Sequence, residues 1–297
     1  MLAVRLNAPV VMTFNARGLM YGHPLGVPAS PTLGATRNLI GSADLILALG
    51  TELGPTDYDH YGDHMMPPLA EMIRIDICQD QLSRHAAQVT ICSPLERVLP
   101  DLLVALAGVP AIDKGAGTAR AARARAAAWD EIGPVMRHQT SLLEALRSLC
   151  PKAIFVGDST QPIYAGNLYY DHDRPGGWFN AASGFGALGF AIPAAIGVAL
   201  AQPDIRVICI TGDGGAQFTL PDLMVAVDEN LPVLFLVWNN QGYGEIDTSM
   251  QAAGVTVVGC DPTPPVFEYI AKACGLAFAH CAMTPAAVTT AVRGLLD

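Results

Sequence analysis

The stretch "TGDGGAQFT", residues 211–219, sets one carboxylate, Asp213, among Gly212, Gly214 and Gly215, directly after the apolar run "VICI". Glycines at the start of a helix let backbone N–H groups approach an anion such as a phosphate. An aspartate in the same loop would repel that anion unless a cation lay between them. A hard divalent ion such as Mg2+ resolves the conflict, because it takes oxygen ligands from a carboxylate and from phosphates together. Such a site also wants neutral oxygen donors, and the next apolar run ends in "WNNQGYGEI", with Asn239, Asn240 and Gly242. Asp213 and Asn240 are 27 positions apart. On adjacent parallel strands their loops lie side by side at the carboxyl ends, where both residues can reach one ion. The competing reading, in which Asp213 caps the following helix, gives the paired asparagines no role. Nucleotide loops fit poorly: "GDGGAQFT" lacks the Lys and Ser/Thr of a P-loop, and the third glycine of G-x-G-x-x-G never arrives.

Hydrophobic periodicity supplies the elements that must hold these loops. In the second half, "AIFVGD", "IRVICITGDG" and "LPVLFLVWNN" read as strands, and "QTSLLEALRSL" and "LPDLMVAVDEN" as helices. The first half repeats the alternation, with strands "APVVMTF", "ADLILALG" and "MIRIDI" around helical "PTLGATRNLIGSA" and "QDQLSRHAAQ". This pattern predicts an α/β fold of two doubly wound parallel-sheet domains, a central Rossmann-like one over residues 1–110 and a second over 139–297. Between them, residues 111–138 turn from Gly and Pro to an Ala and Arg helix with little apolar face, and are expected to form a linker.

At 297 residues, 51% hydrophobic and 15% charged, the chain is long enough for about two cores. A formal charge of −10 leaves no basic footprint, so nucleic acid and anionic membrane surfaces are poor partners. The uncharged run "GFGALGFAIPAAIGVALA", residues 184–201, approaches the length of a bilayer span. Its four glycines, Pro193 and small side chains instead suit a loop feeding a closely packed helix. The N-terminal residues do not read as a signal peptide. Seven cysteines without a C-x-x-C pair point to buried, reduced thiols in a cytoplasmic protein.

"GDG", followed 27 positions later by the second Asn of "NN" with "GYG" behind it, resembles the signature of thiamine diphosphate-dependent enzymes. "SGFGALGFAIPAAIG" is similar to the stretch lying against the cofactor in acetolactate synthases and 2-oxo acid decarboxylases. "APVVMTFNARG", "GHPLG", "ILALGTELG" and "IRIDI" resemble the central domain of that superfamily. Within it, "TELGPTDYD", "GDSTQPIY", "GDGGAQFTLPDL" and "WNNQGYGEI" look most like the 5-guanidino-2-oxopentanoate decarboxylases. The resemblance implies thiamine diphosphate and Mg2+ as cofactors, a small 2-oxo acid as substrate and decarboxylation as the reaction. Acetolactate synthase-like carboligation and a noncatalytic, regulatory half are the alternatives.

By resemblance, Asp213, Asn240 and the carbonyl of Gly242 would hold Mg2+, and the N–H groups of Gly214, Gly215 and Ala216 would meet the diphosphate. Tyr243 and Gly244 would complete that pocket. Leu188 falls where the family places a bulky apolar residue beneath the cofactor, with ordinary core packing as the other reading. Gly186 would offer its carbonyl to the aminopyrimidine. Thr160 and Gln161 match donors near the diphosphate, but Pro162 stands where relatives carry His, so a plain turn fits as well. Glu245 would face a guanidinium on the substrate side, or is a solvated acid at a helix start. In "DYDHYGDH", residues 57–64, His60 and His64 read as part of a solvated loop or interface, and Asp76 as structural. A flavin-binding role for the first half is a rival without a glycine fingerprint. The resemblance also implies that a pyrimidine-binding domain of ~150 residues, bearing the activating glutamate, is absent from this stretch. A homo-oligomer is expected, or a partner chain that supplies this domain, and the chain alone is expected to be inactive.

Overall fold

The computed structural model describes residues 1–58, 71–110 and 116–296, so His60 and His64 lie outside the described residues. The chain divides into two units. One comprises residues 1–14 and 20–133, the other residues 15–19 and 134–297.

In the first unit, β1 (Val10–Val11) pairs in parallel with β2 (Gly26–Val27). A separate parallel sheet runs β3 (Leu45–Leu49), β4 (Glu71–Asp76), β5 (Val89–Cys92) in that order. The charged Arg74 is tolerated in the middle of β4, almost fully buried, because its guanidinium donates to the carbonyls of Thr51 (3.2 Å), Leu82 (3.3 Å) and His85 (3.4 Å). Asp76 ends β4 and accepts a hydrogen bond from the Cys78 N–H (2.8 Å), a local turn contact.

Most of the stretch expected to link the domains is a helix of this first unit, Ala116–Glu131. Its buried face is Gly117, Ala121, Ala124 and Ala128, a stripe of small residues at helical spacing. The polar side chains reach back to the unit. Arg120 donates to the Ser42 hydroxyl (3.0 Å), and Arg125 to the carbonyls of Pro24 (2.8 Å) and Gly26 (2.7 Å). The Glu131 carboxylate accepts from the N–H groups of Gly34 (2.6 Å) and Ala35 (2.9 Å), the first residues of the helix Gly34–Gly41. Close approach of small residues and hydrogen bonding hold this helix.

The second unit contains a four-stranded parallel sheet formed by β6 (Ile154–Gly157), β7 (Trp178–Asn180), β8 (Val207–Gly212) and β9 (Val233–Trp238), in the order β7-β6-β8-β9. All residues of β6 and β8 are buried, as continuous apolar runs in a sheet covered on both faces should be. Ile208 and Ile210 join a core with Leu142, Leu143 and Leu146 of the helix Gly133–Leu149. Val207 and Cys209 point the other way, against Ala191, Ala195 and Ala199 of the helix Ala191–Ala201. That helix is the apolar run of the sequence, and no helix among the described residues is long and apolar enough to cross a membrane.

All seven cysteines are free. Cys150, Cys209 and Cys260 are buried as expected, whereas Cys78 and Cys92 are exposed. Cys78 lies just beyond the end of β4, and Cys92 is the last residue of an edge strand, so neither shares the burial of a central strand.

Candidate functional site

The carboxyl ends of β6, β8 and β9 bring the candidate residues together within the second unit. Asp213 follows β8 and opens the short helix Asp213–Ala216, and its side chain is 1% exposed. Burial pushes its carboxyl above the usual aspartate range, opposed by nearby backbone N–H groups. One carboxylate oxygen, Oδ2, is buried without a hydrogen-bond partner. Asn240 comes from the loop after β9, in register beside β8. The end of its amide lies 2.9 Å from Asp213 Oδ1 and 3.0 Å from the Gly242 carbonyl oxygen. With nitrogen inward it donates to both. With oxygen inward, a carboxylate, an amide and a carbonyl oxygen converge, the donor set of a hard divalent cation. Among the described residues there is no group of three or more His, Cys, Asp and Glu to offer a metal another centre.

The paired asparagines divide the work. Asn239 Oδ1 accepts from the Gln241 N–H (3.1 Å), and Gln241 takes a left-handed conformation at φ 62°, a turn that presents the next residues toward β8. The Tyr243 N–H then donates to the Cys260 carbonyl (2.8 Å), which anchors the loop. The Tyr243 ring lies so close to Gly214 that a Cβ there would overlap it. Gly244 sits against the Asn240 amide and opens the helix Gly244–Ala252, in whose first turn Glu245 is exposed.

Thr160 and Gln161 begin the helix Gln161–Leu168 after β6. Thr160 Oγ1 lies against Gly212, and Gln161 Oε1 accepts from the Trp238 indole N–H (3.0 Å), so both face the same strand ends. Pro162, at the second position of that helix, costs no intrahelical hydrogen bond there. Gly186, at φ 73°, and the half-buried Leu188 belong to the loop between Ser183 and Ala191, and the Gly186 carbonyl accepts from the Ser159 hydroxyl (3.2 Å).

One residue without an expected role sits at the centre. Asp158, 1% exposed at the end of β6, accepts from the N–H groups of Ser159 (2.8 Å) and Gly189 (2.9 Å) and from Thr211 Oγ1 (3.3 Å). Burial raises its carboxyl pKa, and those donors oppose the rise. Its only signal in the sequence is an acid closing an apolar run in "FVGDS".

Fold and site together define an α/β protein with a glycine loop and an oxygen-rich cluster at the carboxyl ends of a buried parallel sheet. Residues 158–296 match the thiamine pyrophosphate enzyme, C-terminal TPP binding domain, and residues 1–102 match the central domain of the same enzymes. The chain belongs to the thiamine pyrophosphate enzyme family. It is 32% identical over 280 residues to the Pseudomonas aeruginosa protein named "Probable 2-ketoarginine decarboxylase AruI", covering 93% of this chain and 49% of that one. It is 30% identical over 264 residues to the benzoylformate decarboxylase of the same organism, covering 86% and 47%. Acetolactate synthase isozyme 1 large subunit of Escherichia coli is 27% identical over 252 residues, covering 82% and 43%. The chain thus spans about half the length of these relatives. Among solved structures, the thiamine diphosphate-dependent 4-hydroxybenzoylformate decarboxylase of Rhodococcus jostii RHA1 shares the fold at a TM-score of 0.72 and 24% identity, over 99% of this chain and 55% of that one.

Proposed function

We propose that this chain binds thiamine diphosphate through Mg2+ and serves the decarboxylation of a 2-oxo acid with a guanidino tail. The observation that carries the reading is the meeting of Asp213, Asn240 and the Gly242 carbonyl beneath the glycine loop. These three would hold the ion. One carboxylate against a divalent cation leaves net positive charge facing the phosphates, while the N–H groups of Gly214, Gly215 and Ala216 would point at their oxygens. Thr160 and Gln161, at the neighbouring helix start, and Tyr243 and Gly244, packed beside the loop, would complete that end. Gly186 and Leu188 would contact the ring end.

Thiamine diphosphate supplies the carbon nucleophile and the electron sink that loss of CO2 requires. The protein's contribution is to bind, orient and exclude water. The substrate class rests on the 2-ketoarginine decarboxylase name of a relative identical at 32% of positions. Glu245, exposed at its helix start, would pair with the guanidinium.

Calorimetric titration with thiamine diphosphate and Mg2+ tests the central claim. Wild type should give a saturable heat that depends on the metal, and Asp213→Ala should lower the affinity by about a hundredfold or more, since even outer-shell losses at metal sites cost about 10–100-fold. Heat unchanged by the substitution would refute the metal assignment.

A further inference from the structure

Asp158 is a buried carboxylate to which the binding scheme above gives no task. Its contacts join three pieces of chain far apart in sequence. It closes β6, its Oδ2 accepts from the Gly189 N–H (2.9 Å), and the same oxygen accepts from the hydroxyl of Thr211 on β8 (3.3 Å). Gly215 packs directly on it, since a Cβ there would lie 3.0 Å from Oδ2. The neighbouring Ser159 hydroxyl donates to the Gly186 carbonyl (3.2 Å), and the Thr219 hydroxyl donates to the Gly189 carbonyl (3.1 Å). Loop 186–189 is therefore pinned at both ends, with Leu188 between the pins. Because Asp158 also touches the glycine loop from below, it fixes the distance between the two segments.

We propose that Asp158 is a positioning residue that sets the loop bearing Gly186 and Leu188 at the height above the glycine loop that thiamine diphosphate spans. The inference rests on the cofactor reading above. A buried carboxylate suits the task because it offers acceptors only, and the groups that face it, the Gly189 N–H and the Thr211 hydroxyl, are donors. An amide of the same shape turns a donor toward at least one of them, or surrenders one acceptor position. Asp158→Asn should therefore shift the 186–189 loop without disturbing the Asp213 and Asn240 pair.

Two ligands separate this role from a merely structural one. Mg2+ with inorganic diphosphate probes the glycine loop alone, whereas Mg2+ with thiamine diphosphate requires the second loop too. In calorimetric titrations of the full chain, Asp158→Asn should weaken thiamine diphosphate tenfold or more and leave inorganic diphosphate within about twofold. Ser159→Ala, which removes the other pin from a side chain that is not buried, should shift the same ratio in the same direction, about threefold. It serves as the test if Asp158→Asn fails to fold. Equal loss of both ligands, or loss of neither, in a folded variant would overturn the proposal. If wild type binds neither ligand, the cofactor reading fails and this inference goes with it. If wild type binds both and the ratio does not move in either variant, the reading stands and only the inference falls.

Discussion

At the scale of single residues, two buried titratable groups carry opposite consequences. Asp213 sits in its cluster with an orphaned oxygen and a raised pKa, an arrangement that costs stability and that a bound cation would relieve. His172 is already satisfied. It is fully buried, with Nδ1 at 2.9 Å from the Tyr170 hydroxyl and Nε2 at 2.8 Å from the Ala153 carbonyl, which fits a neutral ring donating from Nε2 and accepting at Nδ1. Burial lowers its pKa, with the Ala153 hydrogen bond opposing. A histidine whose folded pKa lies below its unfolded value stays neutral in the native state while the unfolded chain takes up the proton. Stability is thus full above the unfolded pKa of about 6.5 and falls as pH drops below it, by at most about 1.4 kcal/mol per pH unit. Urea midpoints between pH 7.5 and 5.5 should show this decline, and His172→Asn should flatten it. On the substrate side, Glu245→Gln should raise KM for a guanidino 2-oxo acid about tenfold while leaving an aliphatic 2-oxo acid unaffected, measured in whatever assembly turns over. An equal change for both substrates would remove Glu245 from the recognition site.

Elements show what glycine is for in this chain. Gly117 lies in the helix Ala116–Glu131, where a Cβ would overlap the Asn7 backbone carbonyl oxygen. Gly197 lies in the helix Ala191–Ala201, where a Cβ meets nothing within 4 Å. Alanine is favoured over glycine in helix interiors by about 1 kcal/mol, so Gly197→Ala should stabilise by about 0.5–1 kcal/mol. At Gly117 the same gain meets a backbone atom that cannot rotate away, and overpacking costs about 1–3 kcal/mol. Gly117→Ala should therefore lower the urea midpoint while Gly197→Ala raises it. The same contrast explains what could be read from the sequence. β6 and β8 were legible because strands buried on both faces are continuous apolar runs, and the half-buried edge strand β9 carries a run of the same kind. The first unit's last helix was legible as a helix but not as part of that unit, because its buried stripe is Gly117, Ala121, Ala124 and Ala128, which make no apolar face of large side chains. The convergence of Asp213 and Asn240 was legible as a spacing between two strand ends. Asp158 was not, because its partners Gly189 and Thr211 lie 31 and 53 positions away and meet it only after the sheet has formed.

For the whole molecule, binding and stability are linked. A ligand that binds only the folded chain adds about 2.7 kcal/mol at a hundred times its Kd. Mg2+ with thiamine diphosphate should raise the unfolding midpoint of wild type in this way, and neither the metal alone at the same concentration nor the pair with Asp213→Ala should match it. The burial of β8 along its whole length has a further consequence, for exchange of amide hydrogens with solvent. The amide protons of β8, paired to β6 on one side and β9 on the other, should exchange only when the unit opens as a whole, whereas those of Gly214, Gly215 and Ala216, in the first turn of a short helix, have no intrahelical acceptor and should slow when an anion covers them. Residues 184–187 are exposed and should exchange through small local openings. The anion-facing half of the site then stands on a durable strand, while the opposite wall can breathe, and a ligand would enter by way of the wall.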